Sequence, residues 1–333
     1  MRSDVGADGG PRPPGGELVP TTQVRLDDLT ELTHALRAAL LEKGEFLPSR
    51  WVEESATDLH EGRLRGWVLR DPAPVGLAFL SARPTRLYGH VHIAPGPQAP
   101  DRARRMLGLL RDSRPTPPLR LDVGLTGLTA DEETTLGSSA GSLGEETVVV
   151  RFAMERTIPP PGEAPALPPG IHPYPVREVP PPQLAALDWA AFQATSDETL
   201  VADTVDEDER VLREIFQGLL GRFLDEASIA LVDDDRALAG FLLTAEQTPR
   251  RAIFLDLVTR TDLRRRGVGR FLLTWGLRAL SAFGYESVRL WVTESNRAAR
   301  ALYDGLGFRI TGRALIYRFG PAGAGPPHPQ RSR

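Results

Sequence analysis

Arg264, Arg265 and Arg266 stand directly before Gly267, Val268, Gly269, Arg270 and an apolar run in the stretch DLRRRGVGRFLL, Asp262 to Leu273. Glycine allows a positive φ and lets a ligand come close to the backbone. The first N–H groups of a helix lack intrahelical acceptors and lie at the positive end of its dipole. A loop of this kind opening a helix is a seat for a phosphate-bearing ligand, and arginine adds charge-assisted donors suited to phosphate oxygens. The alternative is a solvated basic loop. A Walker loop would need a lysine before serine or threonine, and this stretch has none. A dinucleotide fingerprint would need a third glycine where Leu272 stands. Both are disfavoured, and a pyrophosphate cradle of another kind remains.

The elements that must position this loop are legible in the second half of the chain. PPQLAALDWAAFQ, with Leu184, Leu187 and Ala191 at helical spacing, predicts one helix. VDEDERVLREIFQGLLGRFLDEA, with Val211, Leu212, Ile215, Leu219 and Phe223 on one face, predicts a second. SIALVD, ALAGFLLTAE and AIFLDLVT read as three consecutive antiparallel strands. The helix opened by the glycine loop runs to about Phe283, with Gly284 at the left-handed C-terminal place. SVRLWV is a strand, NRAARALYDGL a short helix with Asn296 as N-cap candidate, and GFRITGRALIYRF a closing strand or pair. A strand at 171–176 precedes the series.

The first half gives a weaker version of the same order. Helical LTELTHALRAALLEKG precedes RGWVLRD, VGLAFLSAR and YGHVHIAP; DRARRMLGLLRD is a helix, followed by LRLDVGL and TVVVRFAMERT. Setting Arg105, Met106 and Leu107 on Arg270, Phe271 and Leu272 brings the two strand-loop-helix units into step, which suggests a diverged duplication. In that alignment Arg102 and Arg104 replace the two glycines and Ala99 replaces Arg264, with Pro97 and Pro100 close by. Bulky side chains and missing N–H donors should close the cradle there.

At 333 residues, 41% hydrophobic and 25% charged, the chain is ordinary for a globular protein of two domains. A formal net charge of −4 argues against nucleic-acid or anionic-membrane partners. The chain has no cysteine, so thiolate chemistry is excluded. No signal peptide or membrane span is read, and a cytoplasmic location is expected. The six histidines show no metal spacing, His90 and His92 being strand residues, and no metal is expected. Gly/Pro-rich ends at 1–20 and 320–333 read as flexible tails, and the proline-rich stretch at 159–171 as a linker between domains at 21–158 and 172–319.

Arg264-x-x-Gly267-x-Gly269 between a strand and a helix resembles the Arg/Gln-x-x-Gly-x-Gly/Ala motif of the GCN5-related N-acetyltransferase (GNAT) superfamily. LWVTESNRAARALYDGLGF, Leu290 to Phe308, resembles the strand and helix that follow it in that family, through Asn296, Ala299, Tyr303, Gly307 and Phe308. The resemblance implies an α/β (α+β) fold of two tandem GNAT domains, each a mixed, mostly antiparallel sheet flanked by helices. The arrangement resembles mycothiol-synthase-like tandem acetyltransferases with a degenerate N-terminal copy. It implies acetyl-CoA as acyl donor. Backbone amides from Arg265 through Arg266, Gly267, Val268 and Gly269 to Arg270 would hold the pyrophosphate. Leu257, Val258 and Thr259 would flank the pantetheine arm on a strand splayed from its neighbour, and Asn296 and Ala299 would stand at its thiol end. Tyr303 would protonate the leaving thiolate.

The reaction implied is direct attack of an amine on the thioester, the acceptor being a small-molecule amine and the protein a monomer or homodimer. A backbone N–H near Leu257 would polarise the carbonyl. Many relatives carry a glutamate base where Arg251, Ala252 and Ile253 stand here, so the base must lie elsewhere. Asp256 is nearest, with Glu246, Glu294 or a water relay as alternatives. Asp197, Glu198 and Asp206, between the first helices, are candidates to face a cationic acceptor. A protein or peptide acceptor, or a non-catalytic acyl-CoA-binding protein, are the other readings.

Overall fold

The computed structural model describes residues 16–43, 49–82, 86–116, 118–138, 143–145, 147–160, 163–193, 195 and 202–320. The chain divides into two compact units. The first comprises Met1–Ala39, Ser49–Val148 and Leu315–Arg333. Its elements in chain order are β1 (Glu17–Pro20), α1 (Leu26–Lys43), α2 (Ser49–His60), β2 (Arg65–Arg70), β3 (Pro74–Ala82), β4 (Arg86–Ile93), α3 (Ala99–Asp112), β5 (Arg120–Thr126) and α4 (Ala130–Gly137). β1 to β4 are antiparallel neighbours, and β4 pairs with β5 in parallel without a break from Arg86↔Arg120 to His92↔Thr126. α3 buries Ala103, Met106, Leu107 and Leu110, a stripe at helical spacing.

Three expectations change in this unit. Residues 17–20 are a strand paired with β2, not part of a tail, because Leu18 and Val19 lie opposite Leu69 and Val68. α2 is an element the sequence reading lacks. α3 begins at Ala99, with Gln98 as N-cap, so counting from the helix start puts Gln98 and Pro100 in the places of Gly267 and Gly269. Arg102 and Arg104 lie inside the helix instead, paired with Asp71 (2.6 Å) and Asp101 (2.9 Å). The loop is closed by other means. Gly96 donates its N–H to the Glu132 carboxylate of α4 at 3.1 Å, and Pro100 removes a donor from the first turn.

The second unit comprises Leu40–Pro48 and Val149–Ala314. Its elements are β6 (Thr147–Thr157), β7 (Ile171–Tyr174), α5 (Pro181–Phe192), α6 (Val205–Phe216), β8 (Arg222–Phe223), β9 (Ile229–Asp233), β10 (Leu238–Thr248), β11 (Arg251–Thr259), α7 (Val268–Ala282), β12 (Ser287–Thr293), α8 (Arg297–Asp304) and the first part of β13 (Arg309–Phe319). The sheet runs β6-β12-β11-β10-β9-β7, with β8 beside β10. These strand pairs are antiparallel except β11 with β12. One face packs α7 through Phe271, Leu272, Leu277 and Leu280. The other packs α5 and α6 through Leu184, Ala191, Leu212 and Ile215.

Strand pairing moves the expected domain limits. β6 pairs with β12 from Arg151↔Thr293 to Thr157↔Ser287, so a strand assigned to the first domain belongs to the second unit's sheet. Residues 315–319 pair with β5 and belong to the first unit. Ile158, the last residue of the expected first domain, is buried in the second unit's core; of the expected linker, Ile171 opens β7 and 161–162 lie outside the described residues, as do most of both expected tails. The second helix is also shorter than its apolar pattern suggests. It ends at Phe216; Gly218 and Gly221 take positive φ, Leu219 is 52% exposed, and Phe223 reaches the core from β8 instead. α7 closes as expected, Gly284 adopting φ 75° while Gly284 and Tyr285 donate to Ser281 and Leu280.

α7 lies close to the sheet because Gly276 has no side chain. A Cβ there would come within 2.5 Å of Leu242 Cδ2 and 3.1 Å of Phe254. Gly276→Ala is expected to destabilise the protein by about 1–3 kcal/mol through overpacking, measured by urea unfolding; an unchanged midpoint would contradict this packing.

Candidate active site

β11 and β12 pair only from Arg251↔Ser287 to Ile253↔Arg289, although both strands continue. On its other edge β11 carries a bulge. Leu243 pairs with Asp256 and Thr244 with Phe254, leaving Leu255 as the extra residue. From Phe254 to Thr259 the strand therefore runs beside a gap in the ladder, and its end feeds the glycine loop. Leu257, Val258 and Thr259 all lie on this stretch. A parallel ladder that opens this way offers backbone donors and acceptors to an extended ligand arm.

The loop turns through a short 3₁₀ segment, Thr261–Leu263, with Arg264 N–H bonded to Thr261 O and Arg266 N–H to Leu263 O. Arg265 (φ 66°) and Gly267 (φ 91°) are left-handed, and Gly267 is the N-cap of α7. Among the described residues no acceptor is recorded for the N–H groups of Gly267, Val268, Gly269 and Arg270, which form a concave row of donors at the helix start. A Cβ on Gly269 would meet Leu302 and Thr259 only at 3.4–3.5 Å, close to ordinary contact. The internal packing therefore makes little demand for glycine at 269. The arginines divide in role: Arg265, Arg266 and Arg270 are exposed, whereas the side chain of Arg264 donates to the Ala191 carbonyl at the end of α5.

Beyond β12, Asn296 caps α8, its Oδ1 accepting from Ala299 N–H at 3.1 Å. Seven residues on, Tyr303 is 7% exposed, and its ring packs 6.0 Å from that of Phe308 in the core under α7. Helical spacing from this cap sets Ala299 and Tyr303 on one side of a two-turn helix.

The other face of the strand holds three carboxylates. Asp256 lies beside Asp188 of α5 and Asp208 of α6. Burial, followed by the charge of Asp208, pushes its carboxyl up to about 8, against a hydrogen bond from Leu257 N–H that lowers it. Asp188 is held well above the ordinary value by burial first, then by the charges of Asp256 and Asp208 and by its hydrogen bond to Asp208. Asp208 rises to about 6, mainly through burial. Two carboxyls that share a hydrogen bond share a proton, so Asp188 retains it and donates.

Asp188 and Asp208 are residues the sequence reading missed, yet a signal was present. Asp188 follows Leu184 by four and precedes Ala191 by three; Asp208 precedes Leu212 by four and Ile215 by seven. Both stand in the apolar stripe of their helix, where a carboxylate is out of place. Asp206 is exposed instead, and Asp197 and Glu198 lie outside the described residues. Glu246, near the end of β10, is taken by Arg222 of β8 (2.6 Å), and Glu294 is exposed past the end of β12. Among the described residues no group of three or more His, Cys, Asp or Glu is arranged to hold a metal ion, and no helix is long and apolar enough to cross a membrane.

Folded-state values raised above the unfolded carboxylate range favour the folded state while these groups stay protonated. That contribution is present near pH 4 and is lost as pH rises towards about 8. The thermal midpoint should fall across this window, and Asp188→Asn should fall less than the wild type, by several degrees at the alkaline end at roughly 2–4 °C per kcal/mol. Parallel melting curves for the two proteins would sink the assignment of the cluster.

Comparison with known proteins agrees with this architecture. The model of the acetyltransferase (GNAT) family matches residues 183–308. A mycothiol acetyltransferase of Thermomonospora curvata is 26% identical over 279 residues, 80% of this chain and 82% of that one. One from Streptomyces coelicolor is 35% identical over 99 residues, a match spanning 29% of this chain and 31% of the relative. The solved tandem GNAT protein from the clavulanic acid biosynthesis pathway superposes with a TM-score of 0.60 at 16% identity, covering 91% of this chain and 97% of that one. The family match is confined to residues 183–308, and the fold is that of tandem GNAT proteins.

Proposed function

We propose that this protein transfers an acetyl group from acetyl-CoA to a primary amine of a small molecule, in its second unit. The observation that carries the reading is the short β11–β12 ladder running directly into a left-handed glycine loop whose N–H groups face outward. An extended, amide-bearing arm ending in a pyrophosphate fits that sequence of backbone edge and donor row. Backbone N–H groups from Gly267 to Arg270 hold the phosphates, reinforced by the exposed Arg265, Arg266 and Arg270 side chains. Arg264 serves instead by tying the loop to α5. Leu257, Val258 and Thr259 border the arm, and Asn296 and Ala299 stand at the helix start near its far end. The small-molecule acceptor rests on the mycothiol acetyltransferase relatives.

When bound, acetyl-CoA supplies an activated thioester carbonyl. Asp256 takes the proton from the attacking nitrogen, and its raised value suits a base working near neutrality. The Leu257 N–H now spent on the Asp256 carboxylate is the donor nearest the reacting carbonyl. Its transfer to a ligand oxygen removes the bond that lowers the Asp256 value, so donor binding makes the base stronger. Tyr303 gives a proton to the departing sulfur. The first unit does not take part in the chemistry, because its β4–β5 ladder is closed along its length and Glu132 occupies the Gly96 amide.

The test is CoA release from acetyl-CoA over a panel of small primary amines, read with a thiol reagent; the chain has no cysteine, so the protein adds no signal. Amine-dependent release is expected, and release by no amine would overturn the proposal. Tyr303→Phe should lower kcat by about 10²-fold with little change in the KM for acetyl-CoA. Asp256→Asn should abolish a rise of kcat/KM with pH that levels off above about 8. Gly269→Ala should raise the KM for acetyl-CoA by about tenfold at near wild-type stability, since the added methyl meets Leu302 and Thr259 only at 3.4–3.5 Å and stands in the donor row.

A further inference from the structure

The three carboxylates are more than a base requires. Asp188 is 7% exposed and Asp208 3% exposed, and among the described residues Asp188 Oδ1 and Asp208 Oδ2 accept no hydrogen bond. Among the described residues no arginine or lysine enters the interactions that set their protonation; those come from one another and Asp256, with Glu207 beside Asp208. The nearby arginines are engaged elsewhere: Arg260 with Asp233 and Asp262, Arg264 with the Ala191 carbonyl. Elsewhere the protein does supply counter-ions to buried carboxylates. Asp122 accepts from Arg120 and Arg318 at 2.8 Å each and lies 3.3 Å from Arg86. Burial would raise its value, but those bonds bring it below the ordinary one. Glu155 meets Arg289 at 2.8 Å. A buried carboxylate pair without a cation costs stability unless a ligand supplies one.

A single ammonium does not satisfy this arrangement. An amine held against several ionised carboxylates keeps its proton more tightly, and a protonated amine cannot attack a thioester. Asp256 on the strand beside the splayed ladder suits the nitrogen that reacts; the deeper pair between α5 and α6 suits a positive group that does not. Resting on the acetyltransferase reading above, we infer that the acceptor is a compact diamine or diamino compound, one amino group reacting beside Asp256 and a second, as ammonium, held by the Asp188 and Asp208 carboxyls. Ligand binding then takes the shared proton's place as the source of positive charge between the two helices.

The test compares 1,3-diaminopropane, 1,4-diaminobutane and 1,5-diaminopentane with the amino alcohols of equal length, 3-aminopropanol, 4-aminobutanol and 5-aminopentanol. The wild type should prefer at least one diamine over its amino alcohol by about 10²-fold in kcat/KM. In Asp208→Asn, and independently in Asp188→Asn, that ratio should fall towards one. Both are isosteric and relieve carboxylate repulsion, so loss of folding does not confuse the result. Equal kcat/KM for diamine and amino alcohol, or a preference that survives both substitutions, overturns the inference and leaves the acetyltransferase reading standing. If no amine is acetylated, thermal shift with each diamine alone separates the two. Stabilisation of the wild type but neither variant supports the cationic site while the transferase reading fails; no stabilisation overturns the site.

Discussion

The parallel ladder between β11 and β12 ends after Ile253 and Arg289, and the rest of the second unit is arranged around that early ending. A parallel strand pair normally exchanges bonds along its whole length, and β4 with β5 in the first unit does so from Arg86 to His92. What opens β11 is a set of local features that reinforce one another. The bulge at Leu255 bends the strand, the loop after Thr259 leaves by a 3₁₀ turn and two left-handed residues, and α7 is drawn onto the sheet at Gly276. The first unit has the same order of elements without these features. Its loop is shorter, its helix carries a proline in the first turn, and a carboxylate from α4 occupies a loop amide.

The same strand divides the chemistry between two faces. Towards α7 lies an apolar core that buries most of Tyr303 and fixes the short helix capped by Asn296. Towards α5 and α6 lies a pocket of negative charge around Asp256. The bulge sets this division, because it places Leu255 and Asp256 out of simple alternation and lets the carboxylate share a face with the Leu255 side chain. The cost is visible in the protonation of Asp188, Asp208 and Asp256, each raised by burial before any other cause.

Much of this was legible without coordinates. Glycines 267 and 269, their arginines, the Asn296 to Tyr303 spacing and the three consecutive strands before them depend on local rules of turn, cap and alternation. Asp256 was reached from sequence position alone. Asp188 and Asp208 were not, although each interrupts an apolar stripe. The eye reads an acidic residue in a helix's first turn as a partner of the dipole, which is true of Asp206 and not of Asp208. The domain limits were misplaced for a different reason: β6 and β13 take their partners from strands distant in the chain, and no local pattern encodes a distant partner.

The sequence by itself determined most of the second unit's helices and strands, where the glycine loop opens α7 and that no thiol takes part, because each follows from residue types within a few positions of one another. Only the tertiary structure decided that the β11–β12 ladder opens while the β4–β5 ladder stays shut, that Arg264 holds α5, and that three aspartates from a strand and two helices meet without a counter-ion among the described residues. Those outcomes depend on which strands pair and which helix faces meet, and burial then raises these carboxyls above their ordinary values, Asp256 to about 8.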